Sequence, residues 1–122
     1  MRQSEIIADY IHKPIIPGIE CVGEIADASD SHFSAGQKVA ALGGMGRSFN
    51  GSYAEYAVLP TNHVFSIVSH LAWEHLAAIP ETYFTAWGSL IECLQLYPEN
   101  LHSGDTLLIR GATCALGYAA IG

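Results

Sequence analysis

The final stretch constrains the fold of this 122-residue chain more than any other. Thr106-Leu107-Leu108-Ile109-Arg110 is apolar with a β-favouring centre. It runs into Gly111-Ala112-Thr113-Cys114-Ala115-Leu116-Gly117, a turn of small residues, and then into the alanine-rich Tyr118-Ala119-Ala120-Ile121-Gly122. Strand, tight turn and helix in that order open a dinucleotide-binding fold, in which small residues let the backbone approach a pyrophosphate at a helix N-terminus. The pattern predicts a strand over residues 106–110 and a helix just beginning after it. With no second strand following, the unit reads as the opening of a larger α/β domain and the chain as a piece of a longer polypeptide.

Half of the residues are hydrophobic, enough for one domain with a core. The apolar runs fall far short of the roughly 20 residues of a membrane span, and no basic-then-apolar leader is present. A soluble, cytoplasmic protein with no membrane partner is the expectation. Twelve acids against five bases give a net charge of −7. That balance opposes binding to a nucleic-acid backbone, which needs clustered Lys and Arg. A nucleotide stays compatible, because backbone N–H groups can hold a pyrophosphate without side-chain cations. Cys21, Cys93 and Cys114 are odd in number and widely spaced, so neither a disulfide framework nor a metal knuckle is suggested and buried reduced thiols are expected. Cys114 stands apart because it would sit at a helix N-terminus, where thiols become reactive.

Upstream, residues 1–18 open on a polar segment, and Pro14 and Pro17 bracket an extended apolar pair. Residues 19–25 and 36–42 read as strands separated by a turn cluster at residues 27–31. Gly43-Gly44-Met45-Gly46-Arg47 reads as a loop, and residues 52–59 as a further strand with Tyr53 and Tyr56 on opposite faces. Several short strands suggest a small barrel. Beyond Val68 the period lengthens: Leu71, Glu74, His75, Ala78 and Ile79 fit a short helix ending before Pro80. A second helix opens at Pro80-Glu81 and places Tyr83, Phe84, Trp87, Leu90, Ile91 and Leu94 on one core-facing stripe.

Five motifs occur in a familiar order: Pro17-Gly18-Ile19-Glu20-Cys21-Val22-Gly23-Glu24-Ile25; Gly36-Gln37-Lys38-Val39; Gly51-Ser52-Tyr53-Ala54-Glu55-Tyr56; Ala77-Ala78-Ile79-Pro80 with Thr85-Ala86; and Gly104-Asp105 with Gly111-Ala112-Thr113. Together they resemble the medium-chain dehydrogenase/reductase superfamily, and most closely its zinc-free quinone oxidoreductase branch. The resemblance implies a mainly β, GroES-like partial barrel followed by helices and the first strand–loop–helix of a Rossmann domain. Residues 1–79 would form the N-terminally incomplete substrate domain, and residues 80–122 the linking helix and the start of the cofactor domain. The segment Arg2-Gln3-Ser4-Glu5-Ile6 looks like the one that follows the family's early substrate-site turn.

The implied activity is hydride transfer from NADPH, or NADH, to a quinone or an activated alkene or carbonyl. The cofactor-binding residues carried over are Thr85, which matches a threonine near the nicotinamide, and Gly111, Ala112, Thr113, Ala115, Leu116 and Gly117. Ala115 departs from the family's pattern, standing where a middle glycine usually lies. The resemblance places Tyr53 and Arg47 at the substrate cleft. Read from the residues alone, Tyr53 is core or cleft, Thr85 contacts a ligand or bonds back to a helical carbonyl, and Arg47 reaches an anionic or carbonyl ligand or is solvated.

In zinc-dependent relatives a histidine metal ligand lies where this chain has Ile19, and isoleucine has no lone pair, so no zinc is expected. Glu20 keeps the family's carboxylate, with a structural role. His12, His32, His63, His70, His75 and His102 show no metal-ligand spacing and read as surface or capping residues. Catalytic residues are not identified. Two other classes remain open: a GroES-like remnant that serves as a binding or interaction module, its exposed half covered by a partner or as a homodimer, and a zinc alcohol dehydrogenase, against which Ile19 counts.

Overall fold

The computed structural model describes residues 14–29 and 31–122. The polar start, with the Arg2-to-Ile6 segment and His12, lies outside the described residues, as does Asp30 of the turn cluster. Two compact units are present, one ending at Pro80 and one formed by Glu81–Gly122.

The first unit is built on a three-stranded antiparallel sheet, β1 (Glu20–Glu24), β2 (Lys38–Leu42) and β3 (Val64–Ser66), in that order across the sheet. β1 runs from Glu20 opposite Leu42 to Glu24 opposite Lys38, and β2 sets Val39 against Ser66 and Ala41 against Val64. As the central strand, β2 is the most apolar and the deepest, with Val39, Ala41 and Leu42 buried. Phe33, Met45 and the helical Leu76 complete the core on this side of Pro80. The hairpin end is closed by Ile25 N donating to Gln37 O and Gly36 N to Ile25 O, and the Gln37 amide donates to Ser66 Oγ at 2.8 Å. Helix α1 (Trp73–Ala77) follows, with Lys38 Nζ 4.7 Å above the Trp73 ring. That contact lets a strand lysine keep its charge in water while its stem covers apolar surface.

The expected strand over residues 52–59 does not form. Residues 52–55 bend, and both Tyr53 and Tyr56 are exposed rather than alternating. A period-2 pattern gives a strand only where a neighbouring backbone takes up its N–H and C=O groups, and among the described residues no ladder reaches residues 54–60. The same reasoning corrects the strand expected over residues 106–110. Thr106 to Ile109 form no ladder, and Leu108 is 91 % exposed.

In the second unit, helix α2 (Pro80–Trp87) starts at the expected proline and then widens into a π-helical turn, Gly88–Cys93. The helix is therefore not the regular stripe that the spacing predicts. Tyr83, Phe84, Trp87 and Leu94 are exposed, Leu90 and Ile91 are half-buried, and the buried residue is Ala86. A change from i→i+4 to i→i+5 bonding rotates later residues off the phase of earlier ones. The helix ends with Gln95 in a left-handed conformation at φ 55°, its carbonyl accepting from the Asn100 side chain. Helix α3 (Ala115–Ile121) closes the chain. No helix among the described residues is long and apolar enough to cross a membrane.

All three cysteines are free, but only Cys21 is shielded; Cys93 and Cys114 are exposed, against the expectation of buried thiols. Burial, and then the charge of Glu20, raise the Cys21 thiol above its ordinary 9.0. Folding thus keeps this thiol protonated at pH values where the unfolded chain ionises. Its contribution to stability is whole below the ordinary thiol range and is lost as pH rises through the raised value. Iodoacetamide at pH 8 is expected to label Cys93 and Cys114 quickly and the half-buried Cys21 more slowly, as read by peptide mass spectrometry. Equal labelling rates for all three in the folded protein would contradict the shielding of Cys21.

Candidate functional site

In the first unit three glycines bring separate segments into backbone contact. Gly51 N donates to Ile16 O at 2.7 Å, Tyr53 N to Pro17 O at 3.0 Å and Ser52 N to Gly18 O at 3.3 Å, while Ile16 N donates to the Asn50 side chain. Gly18 has φ +104°, and a Cβ there would overlap Ser52 Oγ and lie 2.8 Å from Tyr53 Cδ1. A Cβ at Gly46 would overlap the Gly18 carbonyl oxygen, and one at Gly51 would overlap that same oxygen. The loop that carries Gly46 is closed by Gly46 N donating to Phe49 O and by Arg47 N and Ser48 N both donating to Gly44 O. Gly18 and Gly51 belong to the sequence motifs and Gly46 to the loop between them; their structural role is this three-way contact.

Around the contact lie Ile19, half-buried, and Arg47 and Tyr53, both exposed. Tyr53 is 77 % exposed, so it is not a core residue, yet its ring edge rests over Gly18. The glycine loop is backed by His63, whose ring stacks on Phe49 at 5.9 Å between centroids. His63 is half-buried in the last turn of the 3-10 helix Thr61–His63, with Nδ1 enclosed and without a hydrogen-bond partner among the described residues. Among the described residues no group of three or more His, Cys, Asp or Glu is placed to hold a metal ion.

In the second unit, Thr85 is exposed on α2, and it is Ser89 that bonds back, its Oγ donating to Thr85 O at 2.8 Å. The turn into α3 has Gly111 at φ +78°, Cys114 N donating to Gly111 O, and Cys114 as the N-cap. The Cys114 sulfur accepts from Gly117 N at 3.4 Å. Since Gly117 N is taken, the amides of Ala115 and Leu116 are those that helix geometry leaves without an intrahelical acceptor. Both residues are exposed, as are Gly111 and Thr113, while Ala112 is half-buried. Gly117 is buried, and a Cβ on it would overlap the Gly111 carbonyl oxygen and stand 2.6 Å from Ala112 Cα. The helix therefore lies directly on its own entry turn, the close approach for which such a fold uses its last glycine. An outward-facing turn with free leading amides fits an anionic diphosphate.

Residues 1–69 match the family described as the alcohol dehydrogenase GroES-like domain, and the chain belongs to it. It is thus a member of the medium-chain dehydrogenase/reductase superfamily. Within that superfamily it falls in the quinone oxidoreductase branch. It is 33 % identical over 110 residues to a quinone oxidoreductase-like protein 2 homolog of Nematostella vectensis, covering 88 % of this chain and 28 % of that protein. It is 31 % identical over 116 residues to the quinone oxidoreductase of Homo sapiens, covering 91 % of this chain and 32 % of that one. The yhdH oxidoreductase of Salmonella enterica, solved in complex with NADP, superposes with a TM-score of 0.75 at 28 % identity, over 92 % of this chain and 35 % of that structure. The chain spans about a third of the length of these relatives.

Proposed function

We propose that this chain carries the substrate domain and the opening of the cofactor domain of a cytoplasmic, zinc-free oxidoreductase. It would reduce a quinone or activated alkene with NADPH, residues 1–79 serving the substrate and residues 80–122 beginning the cofactor site. The observation that carries the reading is the turn into α3, where Gly117 seats the helix on Gly111 and Ala112 and the Ala115 and Leu116 amides lead. Those amides, with the Thr113 hydroxyl, would hold the cofactor's diphosphate, and Thr85 would lie by its nicotinamide. The bound dinucleotide supplies the hydride. The work left to the protein is to orient the acceptor and exclude water, for which Tyr53 and Arg47 are the cleft residues. The zinc-free reading rests on Ile19, which has no lone pair to offer where zinc-dependent relatives place a ligand. A conjugated carbonyl is electrophilic without a metal, which suits that side chain. NADPH is preferred to NADH because the Salmonella enterica relative was solved with NADP.

The test is a titration of the chain with NADPH, and with NADH in parallel, followed through the amide signals of Ala115, Leu116 and Gly117. Saturable shifts at an affinity of about 1 mM or tighter, worth roughly 4 kcal/mol, are expected. Ala115→Gly removes the one methyl group that narrows the backbone's approach, and is expected to tighten binding roughly tenfold, or about 1.4 kcal/mol. Turn signals that stay still for both cofactors would sink the reading and favour a binding or interaction module.

A further inference from the structure

We propose that Asn50 is a self-modifying site: it deamidates through attack by the Gly51 amide nitrogen, the fold holds the reaction in check by tying both reacting groups to Ile16, and the isoaspartate product prevents that pairing from re-forming. Asn50 precedes a glycine, whereas Asn62 and Asn100 precede His63 and Leu101, whose side chains crowd the ring that must form. Asn50 is exposed, so water reaches its carboxamide, while Gly51 is buried. Asn50 Oδ1 accepts from Ile16 N at 3.1 Å, and Gly51 N donates to Ile16 O at 2.7 Å. The carboxamide and the nitrogen that attacks it are therefore both held by one residue of another segment.

The chemistry needs water alone. Gly51 N gives up its proton and bonds to Asn50 Cγ; the Cγ–Nδ2 bond breaks, and ammonia leaves with a proton in place of the one released. Water then opens the cyclic imide, at Cγ to leave aspartate or at the main-chain carbonyl carbon of the same residue to leave isoaspartate. No oxidant or reductant takes part. Deprotonation of Gly51 N begins both ring closure and amide hydrogen exchange, and a hydrogen-bonded amide undergoes it only when its bond opens. In isoaspartate the main chain runs through Cβ and Cγ, so the path from this residue to Gly51 lengthens. Gly51 has no room for that shift, since even a Cβ on it would overlap the Gly18 carbonyl oxygen. Opening thus permits the reaction, and isoaspartate keeps the segment open.

The test compares the full chain with a synthetic peptide of residues 47–53, which has the same sequence without the pairing, in one buffer at neutral pH. Peptide mass spectrometry, with chromatographic separation of the aspartate and isoaspartate forms, reads the conversion. In the folded chain it is expected to be at least about tenfold slower than in the peptide. The slowing should match, within about threefold, the hydrogen-exchange protection of the Gly51 amide, because the same bond opens for both. The purified isoaspartate chain is expected to lose at least about tenfold of the exchange protection at Gly51, Ser52 and Tyr53, whose amides bond to Ile16, Gly18 and Pro17. Asn50→Asp adds the same charge on an ordinary backbone and keeps an acceptor for Ile16 N, so its protection should stay within about threefold of the native chain. A peptide that does not deamidate overturns the site. Equal rates in chain and peptide, or a slowing that does not follow the exchange of Gly51, overturn the gating by Ile16. An isoaspartate chain that keeps its protection, or loses no more than Asn50→Asp does, overturns the lock.

Discussion

Gly18→Ala is expected to remove a large part of the stability of the unit that ends at Pro80. Two costs add. At φ +104° an alanine is held in backbone space that L-residues avoid, worth about 1–3 kcal/mol. Its methyl group would also overlap Ser52 Oγ and lie 2.8 Å from the Ser52 amide nitrogen, and overpacking of this kind costs about 1–3 kcal/mol. The hydroxyl can rotate away but the backbone nitrogen cannot, so the second cost does not relax to zero. A total of about 2–6 kcal/mol stands against the 5–15 kcal/mol typical of a whole domain. In urea unfolding the midpoint is expected to fall by at least about 0.7 M, given slopes of about 1–3 kcal/mol per molar. Two controls separate the costs. Gly36 shares the positive φ, at +78°, but has open space around it, so Gly36→Ala reports backbone strain alone. Gly23 lies on β1 with open space and an ordinary conformation, and Gly23→Ala should be neutral or slightly stabilising. Should Gly18→Ala cost no more than Gly36→Ala, the three-way contact of Gly18, Gly46 and Gly51 is absent in solution.

That contact marks the limit of what the residues disclose on their own. β1 and β2 were legible because their apolar positions, turn cluster and Gly36 all point to one hairpin. The helix start at Pro80 was legible for the same reason, since proline and an acid suit the first turn. Residues 52–59 and 106–110 carry equally good strand patterns and form no strand. Pairing is a property of two segments, and a single segment's alternation says nothing of whether its neighbour is there. The stripe from Tyr83 to Leu94 failed differently. Its residues are helical, but the widened turn at Gly88–Cys93 breaks the phase that the spacing assumes, and Ala86 is buried in place of the large side chains. Of the candidate site, the turn into α3 was legible as a turn, because the small residues from Gly111 to Gly117 interrupt the apolar run before the alanine-rich segment. The contact of Gly46 and Gly51 with Gly18 was not, since it joins segments far apart in order. Its only trace is a set of glycines beside strands, which marks close backbone approach without naming the partner.

Gly117→Ala sets two effects of opposite sign against each other, and the geometry says which wins. Within α3, replacing glycine by alanine gains about 1 kcal/mol of helix propensity, and on that ground alone the variant should be more stable. The new methyl group would overlap the Gly111 carbonyl oxygen and stand 2.6 Å from Ala112 Cα and 2.8 Å from Ala112 C. All three are backbone atoms of a turn already tied by Cys114 N to Gly111 O, so nothing flexible can yield. The helix must lift from its entry turn, at a cost of about 1–3 kcal/mol. The net expectation is a loss of up to about 2 kcal/mol. Gly88 supplies the reference: it sits in the helical run with open space around it, so Gly88→Ala should gain up to about 1 kcal/mol. Thermal unfolding followed by far-UV circular dichroism should therefore move in opposite directions for the two variants. Lifting the helix also displaces the Ala115 and Leu116 amides and frees the Cys114 sulfur from Gly117 N. NADPH should then no longer shift the unfolding of Gly117→Ala, while it still shifts that of Gly88→Ala. If both variants are stabilised alike and both respond to NADPH, the helix does not rest on its turn, and the cofactor reading loses the contact on which it stands.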